Sequence, residues 1–302
     1  MTTFKQWYKS HPKYEQNYVL LGKPTPFDVS LRDGIQTIQP TCNIGTIDKL
    51  KIYNEIKQLH NPSNIEIGSL ASTKLFPIFS DSVTFFNYLD YKLEETNKYI
   101  VVPNETKLKE NIDKFINLRH ISLIASASNS FQLKNTRMSL DETFKQFTNI
   151  KDFLNYKIGE NNYDIKMYIS CINECPIDGK LDTKKIVDNI LLFNSLNPST
   201  LCLSDTCGTL TSVEFEEILT QLVTRIQLNN VSLHLHVKNE SEVEKIMFCA
   251  LDYGINKFDV SMFEFGGCSM TLDKKRLCPN LSYELYYKFL MKYIVKKSLT
   301  FP

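Results

Sequence analysis

The chain has 302 residues, 42% hydrophobic and 23% charged, with 35 basic and 34 acidic side chains and a formal net charge of +1. Such a balance argues against a surface built to track nucleic-acid phosphates, which needs a clustered basic excess, and no apolar run reaches the ~18 residues of a membrane span. The eight cysteines (42, 171, 175, 202, 207, 249, 268, 278) contain no CxxC pair, so most read as small buried side chains rather than a secreted disulfide framework or a thiolate zinc site.

The opening "MTTFKQWYKSHPKYEQNYVLLGK" lacks the apolar core of a secretory signal and the Arg-rich character of a transit peptide, so a cytoplasmic setting is expected. Residues 1–26 are read as a short N-terminal extension. From residue 27 onward, β-rich runs alternate with helical periodicity. The runs "FDVSL", "NIEIGSL", "KYIVVP", "HISLIAS", "IKMYISC", "LCLSDT", "VSLHLHV" and "KFDVSM" begin near residues 27, 64, 98, 120, 165, 201, 231 and 257. Amphipathic segments separate most of them, as in "TIDKLKIYNEIKQLH", "DTKKIVDNILLFNSL" and "SVEFEEILTQLVTRI", and "LSYELYYKFLMKYIV" supplies a last helix. The S/T-x-x-E spacings of Ser139 with Glu142, Thr211 with Glu214 and Ser241 with Glu244 predict three capping boxes. With no linker-like or low-complexity block, and no G-x-G-x-x-G fingerprint, the chain is predicted to be α/β, a single (β/α)8 TIM barrel over residues 27–302, its bottom or flank covered by the N-terminal extension. The length suits the roughly 250 residues such a barrel needs.

Chemistry in these barrels collects at the carboxyl ends of the strands. There the sequence places Arg32 and Asp33 after the first strand, Glu66 and Ser69 in the second, Asp205 and Thr206 after the sixth, and His234 and His236 in the seventh. Alternate residues of a strand share a face, so the two imidazoles point one way and Leu233, Leu235 and Val237 the other. Two imidazoles facing a carboxylate across a narrow barrel form a candidate divalent-metal site. Plainer readings stand beside this one: an internal Arg32–Asp33 salt bridge, a Glu66 partner for Arg32, and Asp205–Thr206 as the cap of the next turn.

Together these residues resemble the HMG-CoA lyases, within the wider DRE-TIM metallolyase group. The run "DVSLRDGIQ" is similar to the family's strand-one signature, and "IEIGSLAS", "ASASNSFQLKNTRMSLDETF", "MYISCINECPIDGK", "LSDTCGT", "HLH" and "FGGC" follow in family order. The resemblance implies Asp33, His234, His236 and Asn280 as ligands of Mg2+ or Mn2+. It implies Arg32, Cys268, Asp205 and Glu66 as catalytic groups, and Arg32, Gln36 and Ser69 as substrate contacts. The loop "GGCSMTLDKKRLCPN" departs from the family's glycine-rich pattern, with no glycine beyond Gly267.

The activity so implied is retro-Claisen cleavage of a small-molecule acyl-CoA, 3-hydroxy-3-methylglutaryl-CoA, to acetyl-CoA and acetoacetate. Arg32 would face the nascent enolate, Cys268 would protonate its carbon, and either Asp205 or His234 would take the hydroxyl proton. No nucleic-acid or membrane partner is expected, and family members are commonly homodimers. Two alternatives remain: a related aldol or Claisen-type enzyme acting on another acyl thioester or 2-oxo acid, and an inactive barrel serving as a binding protein.

Overall fold

A computed structural model describes residues 14–38, 44–91, 95–263 and 278–298. The strands in chain order are β1 (Thr25–Asp28), β2 (Asn64–Ser69), β3 (Asn97–Val101), β4 (His120–Ser126), β5 (Asp164–Ser170), the short pair β6 (Glu174–Cys175) and β7 (Gly179–Lys180), β8 (Thr200–Asp205), β9 (Val231–Leu235) and β10 (Lys257–Val260). All but β6 and β7 join one closed parallel barrel in the order β1-β10-β9-β8-β5-β4-β3-β2. The expected TIM barrel is therefore present, and its eight strands are the eight read from the sequence. Among the described residues no helix is long and apolar enough to cross a membrane.

Strand alternation divides the interior into two zones. Residues such as Ile65, Ile67, Met167, Ile169, Leu201, Leu203, Leu233, Leu235 and Phe258 point outward and join the surrounding helices in one large apolar cluster. The inner faces are different. Phe27 and Tyr99 meet edge to face with ring centroids 5.0 Å apart, and beside them the lumen holds buried Glu66, Lys166, Tyr168, Cys202, Ser232, His234 and Asp259. The usual layers of branched aliphatic side chains are thus largely replaced by hydrogen-bonding groups.

Two local expectations are corrected. The first strand does not run through Leu31 up to Arg32–Asp33: it ends at Asp28, and Ser30–Gly34 winds into a π-helical turn. The Asp28 carboxylate accepts the Ser30 N–H and the Ser30 hydroxyl, each at 2.9 Å, so a side chain competes for backbone that would otherwise extend the ladder. The Val29 carbonyl then receives the N–H groups of Arg32 and Gly34.

The capping boxes at Ser139/Glu142 and Thr211/Glu214 form as expected. The third does not. The helix Glu240–Asp252 starts earlier, with the Asn239 carboxamide accepting the N–H groups of Ser241 and Glu242. Glu244 is engaged elsewhere, in an ion pair with Lys292 at 2.5 Å.

Before β1 lies a short helix, Glu15–Leu20. Tyr18 and Leu21 pack against the apolar shell, and the Asn256 amide donates to the carbonyls of Leu21 and Gly22 at 3.3 Å.

Candidate active site

At the carboxyl end of the barrel, the π turn after β1 points Arg32 and Asp33 over the mouth. Arg32 Nη1 donates to Asp33 Oδ1 at 2.6 Å, and Arg32 Nε donates to Glu66 on the neighbouring strand β2. The guanidinium carbon sits 5.4 Å from the centre of the Tyr168 ring. Burial opposes charge on Arg32, but the Glu66 and Asp33 carboxylates outweigh it and hold its pKa well above the ordinary value. Arg32 is a fixed, permanent cation.

β9 delivers the imidazoles. His234 lies within the strand, while His236 stands just past its end, in an isolated antiparallel bridge with Asn280. Nε2 of each ring lies 3.9 Å from Asp33 Oδ2, and one ligand atom from each of Asp33, His234 and His236 falls within 4.8 Å of the other two. The Asn280 amide donates to Asp33 Oδ2 at 2.9 Å. The four ligands read from the sequence are therefore adjacent.

These groups fit a divalent cation. Burial lifts the Asp33 pKa, but Arg32 and the two imidazoles more than reverse this and hold it well below the usual carboxylate range, so Asp33 is ionised. His236 Nε2 is buried and has no hydrogen-bond partner among the described residues. Burial lowers the His236 pKa, and the Asp33 carboxylate overcompensates, leaving it raised; a metal would take the place of that proton. Arg32 and Lys166 also face three carboxylates, Asp33, Glu66 and Asp259, so positive charge is short.

The lining of the cavity between these groups includes the polar residues Arg32, Asp33, Gln36, Ser69, Tyr168, His234 and His236 and the apolar residues Phe76, Val101, Val102, Pro103, Ile124 and Phe131. Glu66 lies beneath Arg32, with the Tyr168 hydroxyl 3.3 Å from each of its carboxylate oxygens.

Asp205 does not offer its carboxylate to the cavity. Its two oxygens accept the Thr209 and Leu210 N–H groups at 3.2 and 3.1 Å, the turn-capping role that was the plainer reading. Burial raises its pKa against these donors. Asp205 reaches the site instead through its backbone carbonyl, 2.8 Å from His236 Nδ1. The Thr206 hydroxyl accepts the Cys171 N–H at 2.8 Å. Cys268 lies outside the described residues.

Sequence reading missed Lys166, Tyr168 and Asp259. Asp259 accepts from Lys166 and from the Tyr168 hydroxyl at 3.0 Å, and lies 3.2 Å from His234 Nδ1. A signal was available: Lys166 and Asp259 each stand between two apolar neighbours inside a strand run, in "IKMYISC" and "KFDVSM". Buried charges are rare unless paired.

The HMGL-like family model matches residues 23–271. Hydroxymethylglutaryl-CoA lyase YngG of Bacillus subtilis is 28% identical over 246 residues, 82% of this chain and 79% of the relative. The mitochondrial hydroxymethylglutaryl-CoA lyase of Homo sapiens is 24% identical over 241 residues, 80% of this chain and 71% of the relative. Among solved structures, hydroxymethylglutaryl-CoA lyase from Pseudomonas aeruginosa superposes with a TM-score of 0.77 at 21% identity, covering 90% of this chain and 86% of that one. An HMG-CoA lyase from Acinetobacter baumannii, in complex with coenzyme A and 3-methylmalate, gives 0.76 at 22% identity, covering 91% and 89%. At these identities the superpositions establish the shared barrel.

Proposed function

The chain belongs to the HMGL-like family, and on that premise we propose that it is a divalent-metal-dependent carbon–carbon lyase acting on 3-hydroxy-3-methylglutaryl-CoA. The products are acetyl-CoA and acetoacetate. The observation that carries the reading is the convergence of Asp33, His234 and His236 beside a guanidinium already fixed by two carboxylates.

The difficult step is departure of a carbanion, so negative charge developing on the thioester oxygen needs a preorganised positive partner. Arg32 fills that role: it is always charged, and its geometry is set before substrate arrives. Asp33, His234, His236 and Asn280 would hold Mg2+ or Mn2+: the oxygens of Asp33 and Asn280 suit either ion, and the two imidazoles favour a first-row metal such as Mn2+. When bound, the ion supplies Lewis acidity that lowers the pKa of a substrate hydroxyl.

The remaining groups position and shuttle protons. Gln36 and Ser69 hold the polar end of the substrate, and the apolar wall from Phe76 to Phe131 shields the reacting carbons from water. Glu66 acts through Arg32. Asp205 acts through His236, since its own carboxylate is committed to the following turn. In this scheme Cys268 gives a proton to the enolate carbon and is restored by the proton that the substrate hydroxyl gives up, so the transfers balance. Support for an acyl-CoA substrate comes from the relative solved with coenzyme A. A cytoplasmic homodimer is the assembly we propose, and sedimentation of the purified protein tests it.

The deciding assay follows acetoacetate from HMG-CoA with added Mn2+ or Mg2+. Turnover that disappears on chelation is the expected result. Cleavage only of another acyl thioester or of a 2-oxo acid aldol would move the substrate. Tight Mn2+ binding without cleavage of any of them would make the barrel a binding protein.

A further inference from the structure

The buried pair Lys166–Asp259 lies below the cavity, on β5 and β10, 93 residues apart in sequence. Neither residue belongs to the cavity wall, and both are almost wholly enclosed. A charged pair this deep carries a large desolvation cost and is often no more stabilising than a well-packed apolar substitute. Its arrangement points to another use.

Asp259 Oδ2 sits 3.2 Å from His234 Nδ1 and accepts the Tyr168 hydroxyl at 3.0 Å. An ionised carboxylate only accepts hydrogen bonds, so the imidazole nitrogen facing it must be the one carrying hydrogen. Nε2 then carries the lone pair, 3.9 Å from Asp33 Oδ2. Lys166 makes this fixed rather than conditional. Its ammonium pairs with Asp259 Oδ1, lies 3.2 Å from the centre of the Phe27 ring and 4.7 Å from that of Tyr168, and cannot swing into water. His236 is set the same way by a weaker acceptor, the Asp205 carbonyl.

We propose that Asp259, anchored by Lys166, is the positioning residue that sets the tautomer and ring orientation of His234 and so prepares its Nε2 to bind the divalent cation. The proposal rests on the metal-centre reading above. Partners behind a ligating histidine raise its basicity and hold its ring, and their loss typically weakens metal affinity by about 10- to 100-fold. The carboxylate behind His234 and the carbonyl behind His236 make the two ligands unequal, with His234 the stronger donor.

The test has a spectroscopic arm and a binding arm. In metal-free wild-type protein at pH 8, 15N NMR of the histidine side chains should report His234 as the Nδ1–H tautomer; an Nε2–H tautomer overturns the proposal. In calorimetric titration with Mn2+, Asp259→Asn should bind about 10- to 100-fold more weakly than wild type. The double variant Lys166→Met/Asp259→Asn, which leaves no orphaned charge in the barrel, should show the same loss if the single variant folds poorly. Wild-type affinity in a folded variant overturns the positioning role and leaves the metal centre standing. A wild-type protein that binds no Mn2+ overturns the centre and this proposal together.

Discussion

Arg32 Nη1 lies 2.6 Å from Oδ1 of Asp33, its immediate neighbour in the chain. Neighbouring side chains on an extended strand point to opposite faces, so this contact exists only because β1 stops at Asp28 and Ser30–Gly34 forms a π turn. The turn places Arg32, proposed to face the enolate, and Asp33, proposed to bind the metal, on one short buried segment. It also holds Asp33 ionised and Arg32 immobile before substrate arrives.

The two residues should fail differently when replaced. Asp33→Ala removes an anionic ligand and is expected to abolish Mn2+ binding by calorimetry. Arg32→Met should keep Mn2+ and lower kcat by on the order of 100- to 1000-fold, the usual loss for one preorganised charge donor. Unchanged turnover in Arg32→Met removes the guanidinium from the mechanism.

Lys166→Met leaves Asp259 as an uncompensated buried charge, at a cost of about 3–5 kcal/mol in folding stability. Urea unfolding should show a lower midpoint with an unchanged slope. Adding Asp259→Asn should recover most of the loss. A double variant as unstable as the single one would contradict the charge argument.

Asp28 gives the stability a pH dependence of known sign. Burial lifts its carboxyl to about 7, against the opposing donors of Ser30 and Tyr283. The folded pKa lies above the unfolded one, so the folded chain retains the proton longer. This contribution is fully present below about pH 4 and is lost as the pH rises to about 7, at about 1.4 kcal/mol per pH unit. Asp28→Asn mimics the protonated acid, and thermal melts from pH 4 to pH 8 should show a flatter profile than wild type.

Gly34 closes the π turn where a Cβ would meet Ser261 Oγ at 2.6 Å and the Phe263 ring at 3.3 Å. Gly34→Ala is expected to cost about 1–3 kcal/mol, the usual range for overpacking, and to weaken Mn2+ binding by displacing Asp33. Ser261→Ala in the same chain should restore part of both, measured by urea unfolding and calorimetry. A Gly34→Ala protein with wild-type stability and affinity would show that the turn yields without disturbing the site.

The eight strands were legible because each is a short apolar or alternating run ended by polar residues, and local pattern decides strand existence. Local pattern does not decide where a strand stops. At Asp28 the outcome turned on a side chain competing for backbone, and at Asn239 on which of several capping groups was already engaged elsewhere. Asp33, His234 and His236 could be brought together from sequence because each sits at or just beyond a strand end in a barrel whose topology was apparent. Lys166 and Asp259 could not be paired in the same way, since their meeting depends on the stagger of strands on different sides of the lumen.

That pairing also ties barrel closure to charge neutralisation. Lys166 on β5 has its ammonium on the inner face, and its carboxylate partner Asp259 is on β10. The final strand, β10, brings that carboxylate at the same moment that it joins β1 to β9. Loss of β10 from the ring would therefore leave the Lys166 ammonium without its carboxylate, so closure of the barrel and neutralisation of that charge go together.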